Sequence, residues 1–147
     1  MCIRDRPWQI TGIKVVFSEA IATGNVNSLS GTGVTTTGFS GLGTNTLTWT
    51  INPLAIGNFP TTLAGSGANA LKDAAGNALG GGTGFSQNLK LLYGDFNDDG
   101  VVNSQDLVLV EAAISAPYNI LADMNGDGAV TSADYLIVRT RSGTSLP

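Results

Sequence analysis

The chain contains no histidine and a single cysteine, Cys2, among its 147 residues. One cysteine cannot form a disulfide within the chain, and the lack of histidine excludes Cys–His zinc sites and imidazole acid–base catalysis. The longest apolar runs, residues 107–110 and 135–138, are far too short to span a bilayer. Charged residues make up only 12% of the chain and form no basic patch, so the sequence does not predict a nucleic-acid partner.

The acidic residues are concentrated in two short stretches. The net charge is −4, and seven of the eleven acids lie within residues 95–106 and 123–134, namely Asp95, Asp98, Asp99, Asp106, Asp123, Asp127 and Asp134. The rest of the chain is slightly basic. The acidity is therefore a local property of these stretches.

The two acidic stretches are copies of each other, offset by 28 residues and identical at positions 1, 3, 5, 6, 8, 10 and 12. Oxygen-bearing side chains at positions 1, 3, 5 and 12, with glycine at position 6, form the EF-hand calcium-loop pattern. Calcium takes six to eight oxygens at about 2.3–2.6 Å, so the chain must wrap around the ion, and glycine permits the sharp turn. The pattern predicts two calcium ions, one in loop 1 (residues 95–106) and one in loop 2 (residues 123–134).

The expected ligands are the side chains at positions 1, 3, 5 and 12, the carbonyl at position 7, and position 9 through a water. They are Asp95, Asn97, Asp99, Val101, Asn103 and Asp106 in loop 1, and Asp123, Asn125, Asp127, Ala129, Thr131 and Asp134 in loop 2. Three carboxylates crowded around one point repel by several kcal/mol when no cation is bound. We therefore expect the folding of residues 93–142, which offer little core, to depend on calcium. Two ordinary acidic turns are the alternative interpretation.

A helical pattern follows each loop. We expect a helix over residues 104–115, with Ser104 as its N-cap, and a second over residues 132–141, with Ser132 as its N-cap. Residues 116–122 have room for a single helical turn between them. The expected inward faces are Leu107, Val110 and Ile114 in the first helix, and Ala133, Leu136, Ile137 and Thr140 in the second. Four consecutive apolar residues cannot all face one core, so each helix is expected to expose part of its apolar run as a contact site.

This loop-then-helix unit departs from the usual EF-hand, because position 12 is Asp and a strand precedes loop 1. The repeated pattern Asp-x-Asn-x-Asp-Gly-x-Val-Asn/Thr-Ser-x-Asp resembles the type I dockerin module over about residues 93–142. The resemblance implies a non-catalytic, calcium-dependent anchoring module of an extracellular or cell-surface protein, with a cohesin domain as its protein partner. The contact residues implied by the family are Ser104, Gln105, Glu111 and Ala112 in the first repeat, and Ser132, Ala133, Arg139 and Thr140 in the second.

Two of these contact positions, and so four of the eight residues, depart from the family pattern. Position 11 is Gln105 or Ala133, where cellulosomal dockerins commonly carry a hydroxyl. Glu111 in the first repeat corresponds to Arg139 in the second, which breaks the equivalence that lets some dockerins bind in either orientation. A partner other than a cellulosomal cohesin therefore stays open.

Residues 8–92 are predicted to be all-β, since turn clusters separate short strand patterns. The expected strands are residues 13–17, 32–39, 46–51, 59–64 and 85–92. The segments Phe17-Ser18-Glu19 and Asp73-x-x-Gly76-Asn77 resemble those of bacterial surface-layer-type Ig-like domains. The expected fold class is thus an Ig-like β-sandwich (residues 8–92), lacking its first strand, followed by a small α module of paired calcium loop-helix motifs (residues 93–147). Residues 1–7 read as a foreign or disordered start.

Several alternatives remain at this point. The chain is also compatible with the C-terminal part of a larger secreted carbohydrate-active enzyme or adhesin, with its active domain upstream. A calcium sensor of the cytosolic kind requires helices on both sides of each loop and a methionine-rich groove. Asp73 and Asn77 form either an ion site or, as we favour, a capped tight turn. Glu19 and Asp73 are carboxylates of the type that glycosidases pair, but nothing in the sequence brings them together.

Overall fold

The computed structural model describes residues 10–54 and 56–146. The expectations for residues 1–7, and the position of Cys2, lie outside the described residues. The described chain divides into two compact units, one of residues 10–54 and 59–89 and the other of residues 56–58 and 90–146. No helix in the described part of the chain is long and apolar enough to cross a membrane.

Two antiparallel sheets make up the β region. The first has four strands in the order β3-β4-β1-β6, and the second has three in the order β2-β5-β7. The strands are β1 (Gly12–Thr23), β2 (Leu29–Gly31), β3 (Thr36–Ser40), β4 (Thr44–Ile51), β5 (Gly57–Leu63), β6 (Lys72–Asp73) and β7 (Phe85–Leu91). Three short 3-10 helices connect them, at Val26–Ser28, Gly67–Asn69 and Leu79–Gly82.

Three of the five predicted strands, at residues 46–51, 59–64 and 85–92, correspond closely to β4, β5 and β7, whereas the prediction at residues 13–17 covers only the first part of β1. The prediction at residues 32–39 is only partly correct, since β3 begins at Thr36. The short strands β2 and β6 were not predicted, because two or three residues carry no readable alternation. The predicted β region of paired antiparallel strands is confirmed.

The core of the β unit is built by alternation along the strands. Leu47, Trp49 and Ile51 of β4 are buried, as their spacing against intervening threonines predicts. They pair in register with β1, where Ile13 lies opposite Trp49 and Val15 opposite Leu47. The Trp49 indole donates a hydrogen bond to the Asn25 carbonyl at 3.4 Å. Trp49 is thus fully buried with its polar tip hydrogen-bonded.

The segment from Asp73 to Asn77 is a capped tight turn, as favoured from the sequence. The Asn77 backbone N–H donates to Asp73 Oδ1 at 2.8 Å, and its side-chain amide donates to Asp73 Oδ2 at 2.7 Å. Gly76 has φ of +87°, a conformation that glycine adopts without strain. The Asn77 side-chain amide and its backbone N–H hold the pKa of the Asp73 carboxyl below its ordinary value. The turn accounts for these residues without an ion.

The C-terminal unit contains two helices, α1 (Ser104–Ile114) and α2 (Ser132–Arg141). Their lengths match the prediction, but the predicted N-caps are wrong. The caps are Asn103 and Thr131, whose side chains accept from the backbone N–H of Gln105 and Ala133. Position 9 of each loop is therefore the cap, because its backbone is still extended there while position 10 is already helical. Between the helices, Ala122 N–H and Asp123 N–H both donate to the Asn119 carbonyl, which forms the expected single turn.

The small core of this unit consists of Val102, Val110, Met124 and Val138, which are all buried. Partly buried side chains pack against it, namely Leu92, Phe96, Leu107, Tyr135 and Ile137. Met124 thus lies inside the core and contributes to no surface groove, unlike the methionines of a calcium sensor.

The predicted inward faces of the helices need correction. Ile114 is exposed, and Asp106, Val110 and Ala113 are the buried residues of α1. In α2 the buried residues are Asp134 and Val138. Ala133, Leu136 and Thr140, which were expected to face inward, are exposed, and Ile137 is partly buried. The reason is that the position-12 aspartate of each loop is inside, and it sets which side of its helix faces the core.

Candidate functional site

Loop 1 is held in shape by its own acidic and amide side chains. The backbone N–H of Asp99 lies 3.1 Å from both Asp95 Oδ1 and Asn97 Oδ1, so oxygens of positions 1 and 3 converge on one donor. Asp95 Oδ2 also accepts from Gly100 N–H at 2.8 Å, and Asp99 Oδ1 accepts from Val101 N–H at 2.9 Å. The side chains at positions 1, 3 and 5 therefore point into the turn that they stabilise.

Loop 2 repeats this network. Asp123 accepts from Gly126 N–H at 2.8 Å and from Gly128 N–H at 3.0 Å. Asn125 Oδ1 and Asp127 Oδ1 each accept from the N–H two residues further along, both at 2.9 Å. A residue that precedes loop 2 also contacts Asp123. The Tyr118 hydroxyl donates to Asp123 Oδ2 at 2.8 Å.

The electrostatics of Asp123 follow from these contacts. Burial raises the pKa of the Asp123 carboxyl, but the Tyr118 hydroxyl and the N–H groups of Gly128, Gly126 and Asp127 lower it by more. The pKa therefore lies below its ordinary value. The loop stabilises the ionised form, which is the form that ligates a metal.

Two backbone positions in each loop are left-handed. Position 6 is glycine in both, with φ of +88° at Gly100 and +90° at Gly128, as the pattern predicts. Position 4 was not predicted. It is Gly126 with φ of +77° in loop 2 but Asp98 with φ of +60° in loop 1, and Asp98 is the one non-glycine residue with positive φ in the described chain. The signal was available in the sequence, since aligning the repeats places Asp98 over a glycine.

The position-12 aspartates join each loop to its helix. Asp106 is fully buried, and its Oδ1 accepts from the N–H groups of Phe96 at 2.8 Å and Asn97 at 3.3 Å. Its Oδ2 accepts from Asn103 N–H at 2.8 Å, which completes a capping box. Asp134 does the same in the second repeat, accepting from Met124, Asn125 and Thr131. The backbone N–H groups that each of these aspartates binds were not predicted from the sequence.

Calcium is the ion that the loop pattern implies, and the donor chemistry fits it. The inward side chains of both loops offer hard carboxylate and amide oxygens, which suit calcium rather than a soft metal. Within residues 10–54 and 56–146, however, no three acidic groups lie in an arrangement that would hold a metal. The position-12 carboxylates face backbone donors, and the Asn97 amide nitrogen donates to Asp99 Oδ2 at 2.9 Å. The assignment of twelve ligands and of two ions therefore stays a prediction.

All eight residues expected to contact a partner are exposed, namely Ser104, Gln105, Glu111, Ala112, Ser132, Ala133, Arg139 and Thr140. The predicted exposure of each apolar run is confirmed, with Val108 at 64%, Leu109 at 39% and Leu136 at 52%. On α1, Val108 and Leu109 line an open cavity of about 420 Å³ together with Asn97, Ser104 and Gln105. The first repeat thus presents a mainly apolar concave surface next to positions 10 and 11.

The β unit brings together two carboxylates that the sequence left apart. Glu19 and Asp73 line the same open cavity of about 230 Å³, beside Asn77. Asp73 is already committed to the turn through both of its carboxylate oxygens. The cavity therefore offers one carboxylate engaged in the turn and one exposed carboxylate.

Comparison with known families gives one match. The model of the dockerin type I domain matches residues 93–141, about a third of the chain. Searches of curated proteins and of solved structures found no match. No family was identified for the β region, so its Ig-like character stays a proposal. Two tandem loops carry the calcium-loop pattern, and a capping box joins each loop to the helix that follows it. This arrangement agrees with the matched family. Residues 93–141 are therefore a type I dockerin domain, a non-catalytic calcium-binding module whose family binds cohesin domains.

Proposed function

We propose that this chain anchors an extracellular or cell-surface protein to a cohesin-like partner through its dockerin domain, and that binding requires calcium. The observation that carries the proposal is the exposure of all eight expected contact residues, while Asp106 and Asp134 face inward. Calcium would order the loops from which both helices start. The partner-binding surfaces would then depend on the ion without touching it.

The two repeats offer a partner different chemistry. The outer face of α1 carries Val108 and Leu109 with Glu111 as its charged residue, whereas the outer face of α2 carries Leu136 with Arg139. Exposed apolar side chains beside polar neighbours are typical of protein contact sites. A partner that recognises both helices must therefore complement an acid on one side and a guanidinium on the other.

The proposal is tested by surface plasmon resonance against a panel of purified type I cohesin domains in saturating calcium. Arg139→Glu and Glu111→Lys should each weaken binding about tenfold, since a like charge facing a partner's complementary group costs over 1 kcal/mol. Calcium affinity should stay unchanged, because neither side chain belongs to a loop. Lys72→Glu, a charge reversal in β6, is the matched control and should leave binding unchanged.

Two outcomes would contradict the proposal. One is that no cohesin in the panel binds the chain in calcium. The other is that a chain ending at residue 92 binds as well as the whole chain, which would place the contact in the β unit.

A second proposal concerns the type of protein that carries this dockerin domain, and it rests on the same family match. Type I dockerins occur in extracellular cellulosome proteins, which favours a role in polysaccharide catabolism and a carbohydrate-active domain upstream. An adhesin parent is the alternative. Sequencing the genomic region upstream of Met1 distinguishes them, since a glycoside hydrolase domain in the same reading frame supports the first and its absence contradicts it.

A further inference from the structure

The segment after α2, residues 143–146, pairs with loop 1. Val102 N–H donates to the Thr144 carbonyl at 2.9 Å, Gly143 N–H donates to the Val102 carbonyl at 2.8 Å, and Leu146 N–H donates to the Gly100 carbonyl at 3.1 Å. These bonds make Val101 and Ser145 antiparallel bridge partners. The family match ends at residue 141, so this pairing lies beyond the part of the chain that the dockerin model covers.

The pairing fixes both peptide groups that flank Val101. In a planar trans peptide, the C=O of one residue points opposite to the N–H of the next. Because Val102 N–H points at Thr144, the Val101 carbonyl points away from residues 143–146. Val101 occupies position 7, whose carbonyl is the expected calcium ligand. The bond to Thr144 therefore sets the direction of a ligand oxygen.

The segment is itself held to the end of α2. Thr144 donates to the Arg141 carbonyl through its N–H at 3.0 Å and through its hydroxyl at 2.8 Å. The Arg141 guanidinium lies over the Tyr93 ring, 5.2 Å from its centroid, just before loop 1. The side chain of Leu146 lies next to Gly100. Residues 143–146 are thus fixed at one end to α2 and at the other to loop 1.

Loop 2 differs in this respect. The corresponding residues, 128–130, take part in no β-bridge within the part of the chain that the structure describes. Two loops that share seven of their twelve residues therefore differ in what orients their position-7 carbonyl.

We propose that residues 143–146 position the Val101 carbonyl for calcium and so make the two sites inequivalent, with loop 1 dependent on this segment and loop 2 independent of it. The proposal rests on the calcium binding of the proposed function but not on the identity of the partner. Thr144 and Leu146 act here as positioning residues through the backbone of loop 1.

The test is a calcium titration of the whole chain that is monitored by NMR. The amide signals of Gly100 and Gly128 report calcium binding in loop 1 and loop 2 separately. Both amides donate to the position-1 aspartate of their own loop. A chain ending at Ser142 loses all three pairing bonds and should bind calcium in loop 1 about tenfold more weakly, with loop 2 unchanged. Leu146→Pro removes one donor and should weaken loop 1 about fivefold.

Leu146→Ala is the matched control, because it keeps the backbone N–H and removes the side chain; loop 1 should keep its affinity within about twofold. Slow hydrogen exchange at Val102 N–H in the unaltered chain, and faster exchange in Leu146→Pro, would support the pairing independently of metal affinity. If the shortened chain does not fold, the two Leu146 variants decide the question.

Equal weakening of both loops, or unchanged loop 1 affinity in Leu146→Pro, would overturn the proposal. An unaltered chain that binds no calcium would overturn both this proposal and the calcium dependence of the proposed function. A chain that binds calcium with the expected inequivalence but binds no cohesin would leave this proposal standing and contradict the earlier one.

Discussion

Replacing Asp106 by alanine should damage the dockerin domain more than any other single change in loop 1. The fully buried carboxylate accepts three backbone N–H groups, from Phe96, Asn97 and Asn103. These donors are only partly buried, so each one left without a partner costs towards the lower end of about 1–3 kcal/mol, and the bond at 3.3 Å contributes least. The capping box of α1 is lost in the same step. We expect the free energy of unfolding of the domain to fall by about 4 kcal/mol, which is most of the stability that so small a core provides.

The first assay is urea unfolding in saturating calcium, monitored by the helical signal in circular dichroism. The second is a calorimetric calcium titration. Asp106→Ala should unfold at a much lower urea concentration and lose one of the two calcium sites, and Asp106→Asn, which keeps one acceptor oxygen, should be intermediate. Gln105→Ala is the control, since that side chain is exposed, and it should change stability by less than about 0.5 kcal/mol. Two full-affinity sites in Asp106→Ala, or an unchanged urea midpoint, would refute the reasoning.

Three further predictions concern single residues. Asp98→Gly should stabilise loop 1 by about 0.5–1 kcal/mol, measured by urea unfolding, because φ of +60° strains an aspartate and suits glycine; a destabilised variant would count against it. Val138→Ala should lower the free energy of unfolding by about 2 kcal/mol in the same measurement, because Val138 is fully buried. Leu136→Ala changes an exposed site and should lower it by less than about 0.5 kcal/mol. Equal losses would contradict the assigned helix faces. Because the folded-state pKa of Asp73 is lowered, its turn stabilises the β unit above the ordinary pKa of 3.8, and this contribution is lost as the pH falls through the folded-state value. Asn77→Ala should raise the pKa of Asp73 in an NMR titration, and an unchanged pKa would show that the hydrogen bonds are not its cause.

The loops could be predicted from sequence because their geometry is local. A side chain at position 3 or 5 hydrogen-bonds its own backbone two residues on, and glycine at position 6 adopts the left-handed turn, so the pattern of residue types specifies the shape. The same locality explains why β4 was predicted correctly. Leu47, Trp49 and Ile51 alternate with threonines, and strand alternation maps directly onto one buried face.

The helix faces were predicted only in part, because apolar periodicity identified Val110 but not the buried aspartates. The inward rows are Asp106, Val110 and Ala113 on α1 and Asp134 and Val138 on α2, so an acidic residue begins each row. A buried carboxylate is costly unless it is hydrogen-bonded, and here the folded loop supplies the donors. Only the three-dimensional structure of the loop shows that the buried aspartate has hydrogen-bond donors there.

The pairing of residues 143–146 with loop 1 was also beyond the reach of sequence patterns. It joins segments about 40 residues apart through backbone groups, and neither segment carries a strand pattern of its own. The resemblance to the dockerin family gave no help, since the matched region ends before it.

The central claim is that calcium folds the dockerin domain, and its most direct test is circular dichroism during removal and return of calcium. With EDTA the helical signal of α1 and α2 should collapse while the strand signal of the β unit persists, and adding two equivalents of calcium should restore it. A helical signal that stays unchanged in a demonstrably metal-free sample would contradict the claim.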